Sequence, residues 1–486
     1  MQRNVSKLSC GGECGAAGPI GRRAGRPGSG RASAVCRTSG QLWSWWSPLA
    51  RHPEEIERTA HVNPGTAITS VAPSAARLTD SLRDVGYDFS SAVADLIDNS
   101  ISAGAGRVRV HMEFDGENSR VFIADDGTGM GVKGVREALR FGSRREYALG
   151  DLGRYGLGLK TASLSQGRSV TVVTRAAGVK LQMQRLDLDF IAQHDDWVLY
   201  VPPAGTAVVR ARELLAGDTG TVVVWEKLDR ILPAKQATGG WAKRRFDGLR
   251  EKLKSHLSMV FHRFLAGEGD IPKLEIWVDD EQLTAWDPFQ RQEQETKELG
   301  AESFEVMVGD RVGGVYLRRF ILPSRNAFST QEAFDAASGP LKWNRQQGLY
   351  IYRANRLVQW GGWAGTRAVD EHTKLARASI DFDTDLDDVF NINVAKMRVA
   401  LPPQLKQMLS RPVSELCILA NNAYRVDAPR RRNNGHAGAS SEVSNGAEIG
   451  LAIKAALIRT DNFDALNAIA KLLNEESPDL ARSLGF

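Results

Sequence analysis

What most constrains this chain is the stretch DLIDNSISAGA, Asp95 to Ala105, together with the order of the motifs downstream of it. Apolar Ala92, Val93, Leu96 and Ile97 recur at helical spacing, which predicts a helix from about Ser90 to Ala103, stopping before Gly104. With about 3.6 residues per turn, Asp95 and Asn99 leave that helix from nearly one face, while Asp98 points roughly 100° away from Asn99. An acid and an amide can therefore serve one site. Next come RVRVHMEF and RVFIAD, two β-rich runs split by DGENS, which read as a hairpin whose second strand runs straight into DDGTGM.

Around this centre the chain alternates helices with strands. SAARLTDSLRDVGYD, opening on Ser74, reads as a capped helix, and GVKGVREALRFG as another. Strand-like runs follow at SVTVVTR, VKLQMQRL, DWVLYVP and GTVVVWEKL. The order departs from strict βαβ repetition and predicts an α+β fold, an α/β sandwich with helices on one face of a mixed sheet. A dinucleotide-binding domain is excluded, because GRYGLG follows a long polar loop and lacks the strand, turn and acid of that fingerprint. In DDGTGM, Gly127 and Gly129 permit a tight turn whose backbone can approach a flat ligand, with Asp125 at the strand end as an acceptor; a plain hairpin turn would carry the same residues. In GRYGLGLKTAS, Gly153, Gly156 and Gly158 lead into a helix whose unpaired amides suit phosphate, and a flexible linker would look the same.

Four ordered motifs together are more specific than any one. The acid-x-x-x-Asn of DLIDN, the D-x-G-x-G-M of DDGTGM, the G-x-x-G-x-G of GRYGLG and the Gly-Thr opening GTVVVW resemble the GHKL superfamily of ATPases: gyrase, the heat-shock chaperone, histidine kinases, MutL and the MORC proteins. The resemblance covers roughly Pro73 to Asp229 and is nearest in pattern to bacterial MORC-like and MutL-like members. It implies the GHKL (Bergerat) fold, with ATP and Mg2+ as ligands. Asn99 matches the magnesium ligand, an oxygen donor of the kind that ion prefers. Asp125 matches the acceptor for adenine's amine, with Gly127 and Gly129 shaping the turn and Thr221 supporting the contact, while Asp126 takes the variable second place. Gly153, Gly156 and Gly158 match the glycines of the lid and helix start. Lys160 resembles a lysine that meets phosphate in MORC-like members; a surface lysine at a helix start is the alternative. Asp95 stands where hydrolysing relatives usually carry Glu, the base that activates water. One methylene shorter, it must reach through a shifted helix or a water, so slow hydrolysis and nucleotide binding without turnover both stay open. A histidine kinase does not fit, because no phosphoacceptor helix precedes Asp95 and His52 and His61 lie in or beside the N-terminal tail.

Beyond Asp229, WAKRRFDGLREKLKSHLSMVFHRFL reads as a connecting helix, whose Lys243, Arg244, Arg245, Arg250, Lys252 and Lys254 suit a solvated face better than a DNA-contacting stripe. The strands KLEIWVDD, GGVYLRRFIL, QGLYIYRANRLV (turning at Ala354 and Asn355) and LARASIDF follow, then a helix from Pro403. FNINVAKMRVALP resembles the end of the transducer domain of MutL and gyrase, which implies a ribosomal-protein-like βαβ fold, with Lys396 matching a lysine that reaches the terminal phosphate; a strand-end lysine is the alternative.

The expected layout is a basic Gly/Arg/Ser-rich tail (1–65), an ATP-binding domain (66–235), the connecting helix (236–270), a transducer domain (271–427), a linker (428–445) and a small helical C-terminus (446–486). Residues 1–51 hold eight basic residues against Glu13 alone, so the formal net charge of +5 belongs to the tail and says little about nucleic-acid binding by the body. Arg- and Ser-rich and poor in acids, the tail could mimic an organelle transit peptide, and reads better as disorder or an over-extended gene start. Cys10, Cys14 and Cys36 in it lack an obvious fourth zinc ligand, and Cys417 reads as a small core residue in a reducing cytoplasm. The sequence has no apolar run of membrane-spanning length, so no membrane is expected as a partner. The resemblance implies an ATP-dependent homodimer working as a clamp or switch, and leaves DNA, a nuclease or a methyltransferase as partner classes.

Overall fold

The structure, a computed structural model, describes residues 73–84, 86–142, 158–215, 217–233, 236–308, 311–390, 399–427, 449–451, 453–454, 456–457 and 462–486. Helix α1 (Ala75–Arg83) is capped by Ser74, whose hydroxyl accepts from the Arg77 amide. Helix α2 (Phe89–Ser102) starts one residue before the expected Ser90, because the Asp88 carboxylate accepts from both the amide and the hydroxyl of Ser91. Its Ala92, Val93, Leu96 and Ile97 are buried as their spacing requires.

The hairpin follows as β1 (Arg107–Glu113) and β2 (Arg120–Asp125), antiparallel, with Val108 opposite Asp125. Then come α3 (Val132–Leu139), α4 (Gly158–Leu164), β3 (Ser169–Arg175), β4 (Gln182–Asp187), α5 (Leu188–His194), α6 (Thr206–Leu214) and β5 (Gly220–Glu226). DWVLYVP, expected as a strand, contributes only a bridge between Tyr200 and Arg185. Helices α7 (Gly239–Val260) and α8 (His262–Ala266) lead to β6 (Glu275–Val278) and β7 (Glu281–Gln282). The first sheet runs β4-β3-β5-β2-β1-β6-β7. The sequence reading opens the second domain at residue 271, yet β6 and β7 lie beyond that point and belong to this sheet, β6 pairing parallel with β1.

Helices on one face alone were expected, and the sheet departs from that. Its main core takes in Val110, Ile123, Val172 and Trp225 with α2, α4 and α7, while α6 covers the opposite face over Phe122, Val173, Val222 and Val224. This explains why β2, β3 and β5 read as near-continuous apolar runs instead of alternating ones.

Helix α7 joins two cores. Phe246, Leu253 and Leu257 pack under the first sheet, whereas Met259 belongs to the second core. Its basic residues are partly occupied: Arg250 pairs with Asp247 and Asp279, and Lys254 with Glu251 and Glu281, knitting the helix to β6 and β7.

The second sheet uses β8 (Lys297–Val308), β9 (Arg311–Ile321), then, after α9 (Gln331–Ala337) and α10 (Lys342–Gln346), β10 (Gly348–Arg353), β11 (Arg356–Trp360) and β12 (Ala376–Phe382). Its order is β11-β10-β12-β9-β8, with β10 and β12 parallel. The β10–β11 turn falls on Ala354 and Asn355, both at positive φ, as the sequence predicts. Helix α11 (Pro403–Asp427) lays Leu405, Leu409, Val413 and Leu416 on this sheet. Cys417 is buried there, its thiol pushed up to about 12 by burial. At the C-terminus α12 (Phe463–Glu476) and α13 (Pro478–Leu484) pack on each other. Among the described residues no helix is long and apolar enough to cross a membrane.

Candidate functional site

Three elements of the first sheet's helical face converge: α2, α4 and the turn after β2. Asp95 is buried, 3% exposed, and its Oδ2 accepts a hydrogen bond of 2.8 Å from the Tyr87 hydroxyl. The same oxygen lies against the first residue of α4, since a Cβ on Gly158 would stand 2.7 Å from it. No side-chain carbon sits that close, so Gly158 is what lets α4 approach the carboxylate. Asn99, one turn after Asp95, is exposed. The two therefore share a face while differing in access to solvent.

Asp98, the other acid of DLIDN, takes no part in this face. It is fully buried and lies 2.9 Å from the guanidinium of Arg356 on β11, itself 4% exposed at the side chain. The motif thus faces two ways, Asp95 and Asn99 toward the site and Asp98 toward the second sheet.

Asp125 ends β2 directly opposite Thr221 on β5. Its Oδ1 accepts from the Gly127 amide (3.0 Å) and its Oδ2 from the Ser100 hydroxyl (3.1 Å). Burial pushes its carboxyl up to about 6 despite these donors. The Thr174 hydroxyl on β3 donates to the Gly220 carbonyl (2.9 Å) and accepts from the Met130 amide (2.9 Å). With its one proton so used, the 3.0 Å contact between Thr174 and Thr221 is a donation from Thr221, whose oxygen keeps acceptor capacity. Gly129 sits at φ +66°, and a Cβ there would fall 1.9 Å from the Arg175 carbonyl oxygen, so the turn presses onto the end of β3. Asp126 faces away and accepts from the Gly106 and Arg107 amides (2.8 and 2.9 Å), tying the turn to the loop after α2.

Lys160 is 2% exposed, which removes the reading of it as a surface lysine. Burial pulls its ammonium down to about 8, with the charge of Glu137 on α3 pulling the other way. Gly153, Gly156 and Lys396 lie outside the described residues.

Sequence reasoning missed Tyr87, Ser100, Thr174 and Arg356. Ser100 adjoins Asn99 in the quoted motif, so its neighbourhood was a signal. Thr174 meets the site only through strand register, and Arg356 reaches the other acid of DLIDN from the second sheet; neither carries a local mark.

Residues 87–221 match the family model described as histidine kinase-, DNA gyrase B-, and HSP90-like ATPase. The match opens on the tyrosine that holds Asp95 and closes on the threonine opposite Asp125. The chain is similar to ATPase morc-1 of Caenorhabditis elegans, 24% identical over 56% of this chain and 42% of that one. It is also similar to Protein MICRORCHIDIA 5 of Arabidopsis thaliana, 36% identical over 18% of this chain and 13% of that one. It spans less than half the length of these curated relatives. Residues 87–221 thus carry a GHKL-type ATPase domain, in a chain with homologues in the MORC family.

Proposed function

We propose that the chain binds Mg-ATP and hydrolyses it, with Asp95 as the base, and that nucleotide occupancy closes it as a dimeric clamp or switch. The observation that carries this reading is the contact of the Asp95 carboxylate with the first residue of α4, which puts a proton acceptor beside the segment that leads out of the glycine motif. Asp125 suits the adenine amine, since a carboxylate has room for another donor beyond Ser100 and Gly127, and the Thr221 oxygen can accept beside it. A buried ammonium at Lys160 suits phosphate. Asn99, exposed and one turn from Asp95, offers an amide oxygen of the type magnesium takes, and the ion would neutralise phosphate charge there. A general base in this position takes the water's proton as the water oxygen attacks the terminal phosphorus, the bond from that phosphorus to the bridging oxygen breaks and ADP leaves with the bridging oxygen.

The region of the second sheet and α11 is proposed as the transducer, with a ribosomal-protein-like fold and Lys396 as the sensor of the terminal phosphate. DNA, or a nuclease or methyltransferase, is the proposed class of partner. One observation favours the alternative, a nucleotide-gated binding module without turnover: the base at position 95 is the shorter acid.

The test is turnover and shape together. Asp95→Asn should retain ATP while losing about 100- to 10,000-fold in kcat, as for loss of a general base. A non-hydrolysable ATP analogue should produce dimerisation or compaction in light or small-angle scattering that ADP does not, and Lys396→Ala should abolish it. Equal turnover in Asp95→Asn moves the base elsewhere, and identical scattering with analogue and ADP removes the clamp.

A further inference from the structure

We infer that Tyr87 is a positioning residue for Asp95, holding the short carboxylate in the orientation that hydrolysis needs; this rests on the hydrolysis reading of the site. A carboxylate's last torsion is broad, so helix geometry fixes where Asp95 starts and leaves open where its oxygens point. An acid one methylene shorter than glutamate tolerates little of that freedom, because a misplacement of about 1 Å can cost on the order of 100-fold in rate. Tyr87 removes it. Its hydroxyl donates to Oδ2 at 2.8 Å in a buried setting, and α4 closes on that same oxygen through Gly158.

The phenol is itself fixed from both helices. Tyr87 lies outside α2, one residue before its cap Asp88, and its carbonyl accepts from Gln166 Nε2 (3.3 Å) just past the end of α4. Thr161 of α4 bonds to the phenol oxygen. Burial first, and the charge of Asp95 next, hold the phenol far above its usual range, so it remains a donor to the carboxylate at any working pH. A chain of hydrogen bonds thus runs from Thr161 through Tyr87 to Asp95, from the glycine-motif helix to the base.

The plain alternative is a buried tyrosine that merely satisfies a buried acid. The two differ in what Tyr87→Phe does to the full-length protein. As a positioning residue, its loss should lower kcat about 10- to 100-fold, the range expected when a hydrogen bond to a charged group disappears, with the ATP Kd from calorimetric titration unchanged within about twofold. In an Asp95→Asn background the same substitution should cost no further rate. Unchanged kcat in a folded Tyr87→Phe protein overturns the inference, as does an equal fractional loss in the Asp95→Asn background. Should Tyr87→Phe fail to fold, fluorotyrosines at position 87 keep the ring and vary the phenol's acidity; kcat that tracks this acidity supports the role, and a flat response overturns it. Wild-type protein that binds ATP without turnover above a magnesium-free blank overturns the hydrolysis reading and this inference with it, whereas active wild type with an indifferent Tyr87→Phe overturns this one alone.

Discussion

Asp125 makes a two-sided prediction, because the same burial that prepares it for a ligand works against the fold. Its carboxyl titrates at about 6 in the folded chain against 3.8 when unperturbed, so folding favours the protonated form. The stability this group contributes is therefore full below about pH 4 and lost as pH rises through about 6. Two pKa units and a little more correspond to about 3 kcal/mol, by which the nucleotide-free protein at pH 7.5 is less stable than with a neutral group there. Asp125→Asn supplies such a group, and should raise the denaturant midpoint without nucleotide at pH 7.5 and leave it nearly unchanged at pH 4. Binding should move oppositely. The wild type should hold ATP more tightly than Asp125→Asn by about 1–3 kcal/mol at pH 7.5, through the lost acceptor for the adenine amine. At pH 5 only about a tenth of Asp125 is ionised, so the ratio of the two affinities should fall by up to about tenfold, or about 1.4 kcal/mol. Comparing wild type with mutant at each pH cancels the titration of ATP's own phosphates. An Asp125→Asn protein less stable than wild type without nucleotide at pH 7.5 would show that the buried charge does not oppose folding, and an affinity ratio that stays the same at both pH values would show that ionised Asp125 is not the adenine acceptor.

Two further predictions concern the frame around the site. Arg356→Met leaves the carboxylate of Asp98 buried without its guanidinium and should cost about 3–5 kcal/mol in chemical denaturation, whereas the Asp98→Asn, Arg356→Met double variant should recover much of that; strictly additive losses would contradict the pairing. Gly129→Ala combines a positive φ with a Cβ 1.9 Å from a backbone oxygen, so it should lower the melting temperature by several degrees and weaken ATP binding; wild-type behaviour would mean the turn does not press on β3.

Much of the first sheet and its helices was legible because the signals there are local. The spacing of Ala92, Val93, Leu96 and Ile97 defines the buried stripe of α2, and that stripe places Asp95 and Asn99 on one face without knowledge of anything else. The turn at Ala354 and Asn355 was likewise legible from four or five residues. What escaped was set by partners distant in sequence. Asp98 is buried by an arginine 258 positions away, and nothing in DLIDN distinguishes an acid aimed at another sheet from one aimed at a ligand. Tyr87 reaches Asp95 around a capped turn, so helical periodicity cannot relate the two. DWVLYVP has strand composition, yet only Tyr200 finds a partner, because β propensity expresses the pairing available as much as the residues themselves. β6 was grouped with its sequence neighbours, when the edge it fits is that of β1.

That last pairing has a consequence for how the molecule forms on the ribosome. β6, which flanks β1 on the side away from β2, lies more than 160 residues after it in the chain and is unmade when β1 emerges, and Arg356 is further off again. The helix bearing Asp95 and Asn99 must therefore wait, its acid at 98 solvated, while α7 and much of the second sheet are made. Contacts of such sequence separation fold slowly, since loop closure precedes the reward of burial. A nascent chain halted at residue 235 would hold the four motifs from DLIDN to GTVVVW and still lack β6, the second neighbour of β1, and the partner of Asp98. Nucleotide binding during synthesis is thus expected late, after β11 has cleared the exit tunnel.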